Sequence, residues 1–148
     1  MFLRPLVLAS VATLASSLSF SSLAQSTVGE LLDKGGKQWQ KADYEGMFPA
    51  RLQYRWPNGQ GEGDLVFTAD GQLSGSEYHY ASRSESPATG TWKVEDDGKF
   101  CAPKEMKAWR SRTNLCWYSF RLGDEQFMSL TTERDAKLLK IKALSKVQ

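Results

Sequence analysis

The chain has 148 residues, with 19 Lys and Arg against 17 Asp and Glu, a formal net charge of +2. That near balance gives no strong electrostatic footprint for nucleic acid or an anionic membrane. One His and two Cys leave little material for a multi-ligand metal centre or a redox pair.

In chain order, the first 24 residues read as a signal peptide. Arg4 and the amino terminus supply positive charge, and Leu6 to Phe20 is apolar or small, broken only by Ser and Thr. Ser22-Leu23-Ala24 offers small residues for cleavage after Ala24. The run is shorter than the roughly 20 apolar residues needed to cross a bilayer. The expectation is an exported protein, periplasmic or secreted and not membrane-spanning, with residues 25–148 forming one domain. In an oxidising compartment Cys101 and Cys116 form an even pair and are expected to be disulfide-bonded; no CxxC redox motif is present.

Residues 25–36 predict a short helix, with Thr27 and Glu30 as a capping box and Gly35-Gly36 as its stop. From Ala50 the pattern turns to period two, Leu52, Tyr54 and Trp56 alternating with Arg51, Gln53 and Arg55. Further strands are expected at 65–68, 73–80, 89–95, 99–102, 114–122, 126–132 and 137–144, with Pro57-Asn58-Gly59, Asp70-Gly71 and Asp97-Gly98 as turns. Residues 81–87 are expected as a polar loop, and Lys104–Thr113 as a basic connection able to form a helical turn. Eight short strands in series predict an all-β antiparallel meander. Closure into an eight-stranded up-and-down barrel removes its edges, and a two-sheet sandwich is the alternative.

No catalytic set stands out. His79 lies between Tyr78 and Tyr80 with Glu77 on its own face, but a metal site needs further ligands of defined type. A triad from Ser74, Ser76, His79 and Asp64 has no G-x-S-x-G elbow to support it. The glycines at 59, 61 and 63 read as a flexible hairpin, since no helix follows to meet a phosphate. Lys104, Lys107, Arg110 and Arg112, interleaved with Trp109, are candidates for stacking on a sugar or gripping an anion. Tyr54, Trp56, Trp92, Tyr118 and Phe120 are assigned to inner strand faces, where they fill a small barrel or line a cavity. The expected binding residues are thus Tyr54, Trp56, Tyr78, His79, Tyr80, Trp92, Trp109, Arg110, Arg112 and Tyr118, with no cofactor and no metal.

Gly90-Thr91-Trp92, then Asp97-x-Lys99-Phe100-Cys101, then Cys116-x-Tyr118, together with the opening Leu31-Leu32-Asp33-x-Gly35-Gly36, resembles a family of small exported proteobacterial proteins of unknown function. The resemblance implies a disulfide-closed, lipocalin-like β fold with no established activity. The functional expectation is a non-enzymatic protein binding a small amphipathic molecule or a cell-envelope component. The alternative is a protein–protein module, an inhibitor of an envelope hydrolase or a secreted effector, working through the stretches 81–87 and 104–113.

Overall fold

The computed structural model describes residues 27–147; the signal-peptide reading of residues 1–24 lies outside them. The described chain is all-β with one short α-helix, α1 (Val28–Asp33), and one 3-10 turn at Lys41–Tyr44. Thr27 Oγ1 accepts the Glu30 N–H at 3.3 Å and so satisfies one of the helix's orphan donors. Val28 and Leu31 are buried, and they cover Phe120 and Phe127.

The strands are β1 (Lys37–Gln38), β2 (Ala50–Arg55), β3 (Gly61–Phe67), β4 (Gln72–His79), β5 (Ser84–Thr91), β6 (Lys93–Val94), β7 (Lys99–Met106), β8 (Ser111–Leu122), β9 (Glu125–Ser129), β10 (Leu139–Lys140) and β11 (Ala143–Lys146). They form one antiparallel sheet in the order β10-β9-β8-β7-β5-β4-β3-β2-β11, with β1 added beside β8 and β6 beside β7. The sheet curls strongly into a half-barrel. A single continuous sheet excludes the two-sheet sandwich.

The two edge strands belong to one segment. β10 lies on β9, with Leu139 opposite Met128, and β11 lies on β2, with Leu144 opposite Leu52. Between them the Ile141 N–H donates to Gln126 O at 2.9 Å, and the Lys142 N–H donates to Gln53 O at 3.0 Å. Lys140 pairs with Glu125 and Lys142 with Glu62. One crossing segment thereby satisfies backbone groups on both edges.

The eight expected strands are recognisable, but their limits move. The strand expected at 89–95 begins at Ser84 and breaks at Trp92 into β5 and β6. The strand expected at 137–144 breaks where it crosses from β9 to β2. Residues 81–87 are not a loop: Tyr80–Arg83 is a four-residue turn, and β5 runs straight through Pro87. Lys104–Thr113 is likewise not a basic connection. β7 continues to Met106, the chain turns at 107–110, and β8 starts at Ser111. The expected hairpin is present, with Gly59 in the turn between β2 and β3, but Gly61 and Gly63 stand in β3 rather than in a flexible loop.

Inside the curl, one end is packed with rings. Trp92 and Phe100 stack with planes 4° apart, Phe48 stacks on Trp92 at 3.8 Å, and Trp117 meets Phe100 at 4.7 Å. Trp39 and Tyr44, from the segment before β2, close that end. Burial pushes the Tyr44 hydroxyl pKa up to about 12.

A cavity floored by a buried ion pair

The opposite end of the half-barrel is hollow. A cavity of about 820 Å³ is lined by residues of β2, β4, β5, β7 and β8 and by three turns, 56–60, 80–83 and 107–110. The three turns rim its mouth, through Asn58, Ser82 and Trp109. Its wall is mostly apolar, with Trp56, Trp109, Met106 and Leu115 prominent.

Local geometry explains how the rings fit. β2 and β3 pair directly, with Tyr54 opposite Gly63. A Cβ on Gly63 would meet the Tyr54 ring and stand 2.7 Å from Glu77 Oε2. One on Gly61 would stand 2.7 Å from the Trp56 indole. The alternating glycines of β3 therefore clear the space in which Tyr54 and Trp56 lie across the strand.

A polar cluster lies within this wall. Glu77 is 1 % exposed and Lys104 7 %. Lys104 Nζ lies 2.7 Å from Glu77 Oε1 and donates to the Tyr54 hydroxyl at 2.6 Å. Tyr54 in turn donates to Glu77 Oε1 at 2.7 Å, and Trp56 Nε1 donates to Oε2 at 2.6 Å. Both carboxylate oxygens are engaged, so the buried charge is compensated and hydrogen-bonded. Burial, and after it the adjacent Glu77 carboxylate, raises the Tyr54 hydroxyl pKa above its ordinary value and keeps the phenol neutral.

At the mouth, His79 Nδ1 lies 2.8 Å from Ser82 Oγ and accepts the Ser82 N–H at 3.2 Å. Ser82 Oγ meets Ser84 Oγ at 2.7 Å, and Trp109 Nε1 donates to Ser84 Oγ at 3.1 Å. The Trp56 and Trp109 rings meet edge to face at 5.9 Å. These contacts tie the three turns together.

The chain matches no known family model, no curated protein and no solved structure. The site therefore stands on its own geometry.

Of the residues expected from the sequence, Tyr54, Trp56, His79 and Trp109 meet in the cavity. Arg110 sits in a turn at its mouth. Trp92 belongs to the packed end, its Nε1 donating to Thr68 O at 2.9 Å. Tyr118 and Phe120 are not on the inner face. They belong to the cluster with Val28 and Leu31, and Trp117 points inward instead. Tyr78 lies in an outer-face groove with Glu62, Asp64 and Ser76. Tyr80 is exposed and donates to Glu62 at 3.0 Å, while Arg112 pairs with Glu105 at 3.4 Å. Asp64 lies in that outer groove and is held by Arg51, its carboxyl pKa lowered by this hydrogen bond. Asp64 and Ser76 are thus on the opposite face from His79, and no triad assembles.

Sequence reading missed Ser84, Ser111, Thr113, Met106 and Leu115 as cavity residues. Their signal was the period-two run Lys104, Met106 and Ser111, Thr113, Leu115, interrupted by one turn.

Proposed function

We propose that this chain is a non-enzymatic binding protein of an oxidising, extracytoplasmic compartment, periplasmic or secreted, that holds a small amphipathic molecule in the cavity. The observation that carries the reading is a hollow of about 820 Å³ with an apolar, Trp-lined wall and an internally neutralised polar cluster. Its size and lining match those of small-molecule sites, commonly about 300–1,000 Å³. Export is supported by the Cys101–Cys116 disulfide together with the apolar, Ser-rich start of the sequence. The stretches 81–87 and 104–113, on which the protein–protein alternative rests, are hairpin turns and strand ends that border the cavity, which supports the small-molecule reading.

The test is a titration with N-phenyl-1-naphthylamine, following probe emission and quenching of Trp56 and Trp109. Wild-type protein is expected to bind one equivalent. Thr113→Trp, which puts an indole into the hollow, is expected to weaken binding at least tenfold while leaving the melting temperature within a few degrees. Binding undiminished in that variant would sink the reading.

A further inference from the structure

The mouth of the cavity carries a repeat that the fold itself does not require. Two of its turns share the pattern Ala-x-Arg-Ser, in Tyr80-Ala81-Ser82-Arg83-Ser84 and Lys107-Ala108-Trp109-Arg110-Ser111. Each is a four-residue turn between paired strands. In each the Arg N–H donates to the carbonyl three residues earlier, Arg83 to Tyr80 and Arg110 to Lys107, both at 3.3 Å.

In both turns the Arg is left-handed, with φ of 49° and 48°. These are the only residues other than Gly with positive φ among the described residues. Gly takes that conformation at least cost, and a longer side chain there is strained. Gly would be the less strained residue at both places, yet both hold Arg. An unfavourable conformation found in two neighbouring turns points to a role for the side chain.

Position supports that role. Arg83 and Arg110 are exposed and do not line the hollow themselves; each stands at its rim between two lining residues, Ser82 and Ser84 for the one, Trp109 and Ser111 for the other. β5 and β7 are adjacent, so the two turns stand side by side, joined by the Trp109–Ser84 hydrogen bond. The turns 80–83 and 107–110 contain no acid. Among the described residues, Arg83, Lys107 and Arg110 form no ion pair. The acids beside them are directed elsewhere: Glu77 to Lys104, Glu105 to Arg112, and Glu85 to the outer groove.

Resting on the binding reading above, we propose that the cavity's occupant is an amphiphile with an anionic head, its apolar body inside and its head held between Arg83 and Arg110. Glu77 and Lys104 neutralise one another, so the interior asks for no charge on the ligand. A carboxylate, sulfonate or phosphate at the rim stays partly hydrated and gains charge-assisted hydrogen bonds from two guanidinium groups.

Two probes with one ring system separate the possibilities. 1-Anilinonaphthalene-8-sulfonate is N-phenyl-1-naphthylamine with a sulfonate added. Wild-type protein is expected to bind the sulfonate at least tenfold more tightly. In Arg83→Gly/Arg110→Gly that preference disappears, while affinity for the neutral probe stays within twofold and the melting temperature does not fall. Equal affinities in the wild type, or equal losses for both probes in the variant, would overturn the anionic-head proposal alone. Binding of neither probe would overturn the cavity reading beneath it. The source of the head is read by competition. Displacement of the bound sulfonate by monomeric dodecanoate indicates a free amphiphile, and displacement only by phosphatidylglycerol vesicles indicates a membrane lipid. Displacement by neither overturns the proposal.

Discussion

Glu77 and Lys104 are the residues on which the hollow end depends. Removing one partner of a buried pair leaves the other charged and unpaired, at a cost of about 3–5 kcal/mol. Glu77→Ala is therefore expected to lower urea stability by that amount. The double variant Glu77→Leu/Lys104→Met should recover most of it, because two apolar groups need no partner. A single variant as stable as wild type would mean that water solvates Lys104 from the cavity. Tyr54 adds a pH dependence whose sign follows from its raised pKa. The fold favours the neutral phenol, so this contribution is complete below the unfolded value near pH 10 and is lost as pH rises beyond it. In Tyr54→Phe the fall of stability above pH ~10 should be shallower than in wild type, measured by denaturant unfolding at stepped pH. An unchanged slope would assign the alkaline loss to other groups.

At the level of elements, the β7–β8 hairpin is the central unit. Cys101 and Cys116 face one another across it and are bonded, with 15 residues of separation. Reduction is expected to cost about 3 kcal/mol on the loop-entropy estimate, seen as a drop in melting temperature; an unchanged melt with free thiols would remove the bridge from the stability account. This hairpin also shows what the sequence makes legible. Alternation placed Leu52 and Tyr54 correctly, because β2 has one wet face, Arg51 and Arg55 lying exposed. It failed for β8, where Trp117 faces the packed interior while Tyr118 and Phe120 face the cluster under α1. A strand buried on both faces gives no period to read. It failed differently at β5. Ser84 and Ser86 face inward where the barrel is hollow or hydrogen-bonded to the 107–110 turn, and a polar inner face imitates a loop. The Cys pair, the Thr27 cap and the Gly turns were legible because each is a local device. The Glu77–Lys104 pair was not, since its partners stand 27 residues apart on strands with β5 between them.

Across the whole molecule the interior divides into a filled half and an open half, and substitutions should report the division. Phe100→Ala, in contact with the rings of Trp92, Trp117 and Phe67, is expected to cost about 3–5 kcal/mol. Leu115→Ala, at a half-buried residue that lines the hollow, should cost only about 1 kcal/mol, since fewer packed atoms lose a neighbour. Similar losses in urea unfolding would show the hollow to be collapsed in solution. The crossing segment Leu139–Lys146 has a kinetic consequence. Its half of the pairing with β2 joins residues about 90 positions apart, as in Ala143 opposite Gln53. The consecutive hairpins from β2 to β5 and from β7 to β9 need only near neighbours and form at the pace of local contacts. The seam between β9 and β2 closes a far longer loop and belongs to the slow, high-contact-order class of events. Until it closes, the backbones of Ala50–Arg55 and Glu125–Ser129 stay open to other strands. The interval between hairpin formation and seam closure is therefore when this chain is most exposed to aggregation.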